Sequence, residues 1–450
     1  MWRFLKEDLL TVAEMAVAGA RDKGITLAEA YVVRAYEITA EVRHGKVETL
    51  KTACDRGLGI RVFDRQRAGF AFTTDLAREA VLAAVSRALA NAAQTAPDEY
   101  CALPEPNAYP VLRLTDERIK NTPVEDKLAL ARRMEQAALA FDPRVKVIES
   151  SSYQDAEVEV AIVNSLGIAA TYRSAVCGVL ISLAAEDGGE SQTGFALAFR
   201  RRYAELDPEA VGREAAERAV RMLGARPCPS KKTTVILDPY VATGLLGVLA
   251  PALTGEAVQK GRSFLAGKEG REVGSPLVTI VDDGALAGGL ASAPFDGEGV
   301  ATARTVLIER GVLRGFVHNV YTARKGGTKS TGNGIRASFK STPEVGMTNF
   351  YLAPGSKRRE ELIADVEDGF YVTEVMGLHT ANLVSGDFSV GAAGLWISKG
   401  EMAGPVRGVA IAGNLKDLLA RVDGVADDLR WFGGKGAPTV RIRDIAVSGR

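Results

Sequence analysis

The sequence runs to 450 residues, long enough for two or three domain-sized units, and its 46% hydrophobic content is that of an ordinary globular protein. Lys plus Arg and Asp plus Glu each number 56, so the net charge is zero and no field of one sign draws in nucleic acid or an anionic membrane. Direct nucleic-acid contact and membrane attachment are therefore not expected. With 47 Gly placed mostly at turns and only 17 Pro, neither is bulk disorder.

The opening residues, Met1 to Asp8, meet charge before any apolar run develops, so no secretory leader is expected. The longest apolar stretch, 239–253, is too short to span a bilayer. Cys54, Cys101, Cys177 and Cys228 stand far apart with no C-x-x-C pair, which disfavours both a disulfide framework and a zinc knuckle. A reducing cytoplasm fits this usage.

The first half reads as one unit written twice. Leu9, Val12, Ala13, Ala16 and Ala20 mark one face of an opening helix. Short strands follow over 30–38, 47–52, 58–63 and 68–73, and a helix over 75–93 carries Val81, Val85, Ala88, Leu89 and Ala92 on one face. The pattern restarts at Thr122-Pro123-Val124-Glu125, read as a capping box with Pro at the first helical position. Leu130, Met134, Ala137, Ala138 and Phe141 carry that helix's apolar face. Strands are expected over 145–153, 158–163, 168–173, 176–184 and 195–203, with turns at Asn164-Ser165-Leu166-Gly167 and Asp187-Gly188-Gly189. Asp207-Pro208-Glu209 opens a closing helix that Gly224 and Pro227 end.

The polar stretch 96–121 reads as a linker, and 226–232 as a second break. These divide the chain into 1–110, 111–226 and 227–450. Beyond the second break the texture turns to strands and glycine-rich loops: 233–237, 277–281, 388–398 and 439–447, with a hairpin of 305–309 and 312–317 turning at Arg310-Gly311. The expected fold class is α+β: a duplicated helix–β-meander–helix half followed by a β-rich C-terminal domain.

Three histidines leave little room for histidine chemistry. His44 sits in a charged turn and reads as solvated; His318 follows a β-rich run and reads as packed and hydrogen-bonded. His379 opens a polar run, Thr380, Asn382, Ser385, Gly386, Asp387 and Ser389, but no G-x-S-x-G elbow accompanies it, so a polar binding or structural loop is favoured over a hydrolytic triad. The stretch from Lys325 to Gly334 fails Walker spacing; its glycines and hydroxyls suit either exposed backbone N–H groups that meet a carboxylate or an extended peptide, or a flexible loop. Asp282 and Asp283, followed by Asp296 and Glu298, are carboxylates of the kind that bind a hard cation, yet at a strand exit they more often cap backbone donors.

These segments together resemble the TldD/PmbA family, on its PmbA (TldE) side. The resemblance rests on Lys260-Gly261-Arg262-Ser263-Phe264-Leu265-Ala266-Gly267-Lys268, on the run from Ser275 to Asp283, on Lys329-Ser330-Thr331-Gly332-Asn333-Gly334, on the run from His379 to Gly394, and on Gly404-Pro405-Val406-Arg407-Gly408 with Ile411-Ala412-Gly413-Asn414. It implies a paired assembly whose TldD-type subunit carries zinc on H-E-x-x-x-H plus a later cysteine, and which degrades unfolded peptides or trims precursors. Aligned on Lys260-Gly261, it places Leu246 and Pro251 where the two histidines would stand and Gly247 at the glutamate. Leu and Pro offer zinc no lone pair, Gly cannot polarise a water, and no cysteine follows Cys228. The expectation is thus a metal-free subunit without cofactor, with zinc in an H-E-x-x-x-H partner. His379, Thr380, Asn382, Ser385, Gly386, Asp387, Ser330 and Asn333 are its candidate peptide- or partner-binding residues. The other expectation is a stand-alone homodimeric regulator of the DNA gyrase modulator type. The helix face of Val241, Leu245, Leu246 and Leu249 is expected to pack or to meet a partner, with Pro251 ending or kinking that helix.

Overall fold

A computed structural model describes residues 8–382 and 384–449. Residues 1–7 of the charged opening stretch and Leu383 of the His379 run lie outside the described residues.

The N-terminal half comprises α1 (Leu9–Asp22), β1 (Leu27–Arg43), β2 (Lys46–Asp64), β3 (Arg67–Thr73), α2 (Arg78–Ala92), the short α3 (Glu117–Asn121), α4 (Val124–Phe141), β4 (Val145–Asn164), β5 (Ala169–Asp187), β6 (Glu190–Arg200) and α5 (Pro208–Val220). The expected short strands are pieces of long ones: 30–38 belongs to β1, 47–52 and 58–63 merge into β2, 145–153 and 158–163 into β4, and 168–173 and 176–184 into β5. The intervening polar residues do not break a strand whose backbone is paired on both sides, as β4 is by β1 and β5 across Gln154, Asp155 and Glu157.

The two units share one antiparallel sheet, ordered β3-β2-β1-β4-β5-β6, joined down the middle by β1 and β4. The duplication extends to atomic contacts. A β-carbon on Gly69 of β3 would stand 2.0 Å from the Ala88 carbonyl oxygen and 2.6 Å from the Ala92 nitrogen of α2. One on Gly194 of β6 would stand 2.2 Å from Ala215 oxygen and 2.8 Å from Ala219 nitrogen of α5. Only glycine lets each helix lie this close to its strand.

The helix signals fare unevenly. Asp207 caps α5 through the Ala210 N–H (2.9 Å), with Pro208 in the first turn. The capping box at Thr122 does not form: Pro123 is the cap residue without a side-chain bond, and Thr122 Oγ1 instead donates to the Arg118 carbonyl (2.6 Å). Leu130, Met134 and Ala138 are buried, whereas Phe141, at the end of the expected face, is exposed.

The C-terminal half comprises β7 (Lys231–Leu237), α6 (Pro239–Leu249), α7 (Gly255–Gln259), β8 (Ile280–Asp283), β9 (Arg304–Glu309), β10 (Val312–Leu313), α8 (Val320–Lys325), β11 (Gly334–Ile335), β12 (Glu344–Val345), β13 (Phe350–Leu352), α9 (Arg359–Ala364), β14 (Asp368–Met376), β15 (Asp387–Ser398), β16 (Glu401–Asn414), α10 (Leu415–Ala420), β17 (Val422–Val425), β18 (Arg430–Phe432), β19 (Lys435–Ala437) and β20 (Val440–Ser448). Arg310 and Gly311 turn the β9–β10 hairpin in left-handed conformation, as their sequence implies. One sheet runs β10-β9-β8-β13-β19-β18; the other runs β16-β15-β14-β7-β20-β17, and β16 also pairs with β20, closing it on itself. Helix α6 touches both sheets, and its apolar residues enter the largest core of the molecule.

Candidate functional site

Asp238 starts α6: one carboxylate oxygen accepts the Tyr240 N–H (3.0 Å), and the other accepts the Tyr371 hydroxyl (3.1 Å). On this helix Leu246 is 7% exposed and lines an apolar cavity of about 40 Å³ with Ala242, Leu249, Val278, Leu418 and Val440. Gly247 faces Lys435. The helix ends at Leu249 and tightens into a 3₁₀ turn over Ala250–Leu253 that includes exposed Pro251, the stop expected of proline.

Aliphatic carbons, a bare α-carbon and a pyrrolidine ring offer a metal no donor, so the residues at these three positions do not fit zinc. Among the described residues no group of three or more His, Cys, Asp or Glu is placed to hold a metal ion. Of the two expectations for the apolar face of α6, the structure shows packing. Val241, Leu245, Leu246 and Leu249 are buried in the chain's own core, so this face is not available to a partner.

The His379 run forms a 3₁₀ turn, Leu378–Thr380, and the entry to β15. Asn382 organises it: its N–H donates to the Asp387 carbonyl (2.8 Å), and its side-chain oxygen accepts the Val384 and Ser385 N–H groups (2.9 and 3.0 Å). Ser385 Oγ donates to the Asp387 carboxylate (2.7 Å), and so does Asn414 Nδ2 (2.7 Å), which also reaches the Ser385 carbonyl (2.9 Å). These bonds, Asn414 first and Ser385 second, hold the Asp387 carboxyl below its usual range. Gly386 is in left-handed conformation with its N–H donating to the Asn382 carbonyl. His379 and Thr380 project from the turn as exposed side chains, the latter bonded to the Gly377 carbonyl. The loop is therefore an internally braced platform that presents an imidazole.

Ser330 and Asn333 belong to a different neighbourhood. Ser330 Oγ donates to the His318 carbonyl (3.1 Å). Asn333 is 1% exposed; its amide donates to Asp282 (2.7 Å) and the Gly346 carbonyl (2.8 Å), while its oxygen accepts from Thr331 (2.6 Å). With its amide groups engaged inside the chain, Asn333 is a structural tie in place of the expected peptide contact. Asp282 also accepts from the backbone and hydroxyl of Thr348, and Asp283 from the Ala285 N–H, so both cap donors. His318 is half-buried, with Nδ1 3.2 Å from Thr322 Oγ1, and burial lowers its pKa. It packs as its sequence context implies.

Two groups were not anticipated. Glu29 of β1 and Arg61 of β2 meet Glu298 and Arg336 of the C-terminal half: Arg61 donates to Glu29 (2.9 Å) and Glu298 (3.1 Å), and Arg336 pairs with Glu29. Burial disfavours the Arg61 charge, but Glu29 and Glu298 more than offset it and raise its pKa. The second is Arg201, buried without a carboxylate partner among the described residues. It donates to the carbonyls of Gly289 (2.9 Å), Leu290 (2.8 Å) and Ala175 (3.2 Å) and to Ser174 Oγ. Neither group carries a local signal, because the partners lie 26 or more residues away. Asn414 did carry one, an Asn immediately before a helix.

The fold defines a class, an α+β protein with a duplicated N-terminal half and a β-rich C-terminal region. The PmbA/TldA metallopeptidase domain 1 matches residues 28–92, the central domain 117–223 and the C-terminal domain 230–449. The chain is 32% identical to the metalloprotease PmbA of Escherichia coli O157:H7 over its whole length and 97% of that protein. It superposes on TldE of Thermococcus kodakarensis with a TM-score of 0.91 at 26% identity, covering 97% of this chain and 99% of that one. A Thermotoga maritima protein described as a candidate modulator of a DNA gyrase gives 0.89 at 30% identity, covering 97% and 99%. The chain belongs to the TldD/PmbA family, on its PmbA side.

Proposed function

We propose that this chain is the metal-free subunit of a heteromeric metallopeptidase that degrades or trims unfolded peptides, inactive alone and working with a zinc-bearing H-E-x-x-x-H partner in the cytoplasm. The observation that carries this reading is the chemistry of α6: Leu246, Gly247 and Pro251 stand where the family resemblance sets the ligands and base, and Leu246 is packed into the core. The braced His379 turn is the surface offered to peptide or partner. No helix among the described residues is long and apolar enough to cross a membrane. The name of the Thermotoga relative favours a second reading, a homodimeric regulator of a topoisomerase without peptidase activity; a zero net charge counts against its touching DNA directly. Affinity purification of the tagged chain from its native host separates the two. Recovery of an H-E-x-x-x-H subunit with chelator-sensitive peptidase activity is expected; recovery of a topoisomerase without such a subunit would overturn the peptidase reading.

A further inference from the structure

A cavity of about 490 Å³ opens on the seam between the two halves and shares no residue with α6 or the His379 turn. Its walls come from β2 and β3, from the stretch that follows α2, from α7 and α8, and from residues 342–345. That volume lies within the roughly 300–1,000 Å³ typical of small-molecule sites. Phe63, Ala96, Pro343 and Val345 give it apolar surface, and polar groups enter it at few points.

The carboxylates of this cavity are mostly supplied with donors. Glu298 accepts from Arg61 Nη2 (3.1 Å) and the Val320 N–H (2.7 Å). Asp98 accepts from the Tyr321 hydroxyl (2.9 Å) and the Tyr100 N–H (2.9 Å), and Glu256 is paired with Lys260. Glu344 stands exposed at the rim. The groups left over on the walls are donors. Arg61 is 8% exposed and holds both Glu29 and Glu298 through Nη2, so that neither Nη1 nor Nε has a hydrogen bond among the described residues. Asn319 is 5% exposed; the Thr322 N–H (2.9 Å) occupies its side-chain oxygen and leaves the amide nitrogen without an acceptor among the described residues. Lys325 stands over the rings of Tyr100 (5.7 Å) and Tyr321 (5.8 Å) and has no carboxylate partner among the described residues. A buried donor without an acceptor costs free energy until something supplies one. Guanidinium, amide and ammonium together call for an oxyanion. Asp98, Glu256, Glu298 and Glu344 outnumber Arg61, Lys260 and Lys325 along the lining, which suits one negative charge better than a dianionic phosphate.

We propose that this cavity binds a small organic monocarboxylate, its oxyanion taken by Arg61, Asn319 and Lys325 and its apolar body by Phe63 and Val345. The site stands apart from the peptidase reading, because it uses neither α6 nor a metal-bearing partner. The test is titration calorimetry on the purified full chain with hydrocinnamate and octanoate, each compared with its neutral amide. At least one acid is expected to bind saturably, about tenfold or more tighter than its amide. Arg61 and Asn319 also hold the fold, through the ties to Glu29 and Glu298 and through the cap of α8, so the variants are Lys325→Glu and Ala96→Trp. Both positions are exposed, and melting is expected to stay at the wild-type temperature. Lys325→Glu should weaken binding of the acid about tenfold, and Ala96→Trp should abolish it by filling the cavity. Cys101, on the same wall, reports the place. Bound acid should slow its alkylation by iodoacetamide about threefold or more, read by mass spectrometry of its peptide, while exposed Cys54 reacts as before. Failure of both acids to bind, amides that bind equally well, variants that bind like the wild type, or an unprotected Cys101 would each overturn the proposal.

Discussion

The ammonium nitrogen of Lys435 stands 2.7 Å from the point at which a β-carbon on Gly247 would begin. The position that the family resemblance gives to a general base thus faces a cation on a neighbouring strand. A glutamate placed here would pair with Lys435, and its carboxylate would be held charged by that neighbour. Lys435 ends in a flexible stem that can swing aside, so Gly247→Glu is expected to fold, with stability changed by no more than ~1 kcal/mol. It should gain neither zinc affinity by calorimetry nor peptidase activity. Activity appearing on this substitution alone would show that the helix retains a working site.

The His379 turn separates two roles that lie close together. His379 is exposed and lies outside the bonds that brace the loop, whereas the Asn414 side chain supplies two of them and also caps α10 through the Lys416 N–H (3.0 Å). Mixed with an H-E-x-x-x-H partner, His379→Ala is expected to lower peptide cleavage about tenfold, roughly 1.4 kcal/mol of transition-state stabilisation, with unchanged melting. Asn414→Ala should instead cost ~1–2 kcal/mol of stability in denaturant titration. If His379→Ala leaves cleavage untouched, the turn is only scaffold.

How much of this was legible in sequence depended on distance along the chain. Asp207-Pro208, Arg310-Gly311 and Asn164-Ser165-Leu166-Gly167 state their turns and caps in adjacent residues, and the structure places them accordingly. The β1–β4 join that makes one sheet of two repeats pairs Tyr36 with Glu157, and nothing local announces it. For the same reason β4 looked broken at 154–157: side-chain alternation lapses there, while backbone pairing on both flanks persists. Asn333 looked like a binding group because its loop is glycine-rich; only the fold brings Asp282 and Gly346 to it.

Arg201 is the tie least visible in the sequence. Its donors hold the carbonyls at Gly289 and Leu290 to the end of the N-terminal sheet. Arg201→Met leaves buried carbonyls without partners, at ~1–3 kcal/mol for each that water cannot reach. Arg201→Lys is not expected to rescue it, because one ammonium cannot span the fork. Faster limited proteolysis near 286–292 is the expected readout, and wild-type resistance in Arg201→Met would remove Arg201 from this role.

Asp296 gives the fold a pH signature. Burial first, and then the Glu298 charge, push its pKa up to about 8 against the Gly334, Glu298 and Val300 N–H groups that favour the anion. An unfolded Asp titrates near ~4. Between those values the native state holds the extra proton, so this residue's contribution to stability is full below ~4, falls as pH rises through the window and is flat above about 8. Asp296→Asn, neutral at every pH, is expected to remove the part of the slope due to this residue. An unchanged slope in denaturant titrations from pH 5 to 8 would refute the assignment.

The central claim is that this chain contributes structure and recognition to a peptidase but not the metal. Its most direct test is the zinc content of the tag-free chain, purified alone and dialysed, measured together with peptidase activity before and after chelation. The account requires zinc well below one ion per chain and no chelator-sensitive cleavage of an unfolded peptide. One zinc retained per chain, with cleavage that chelator removes and zinc restores, would contradict it.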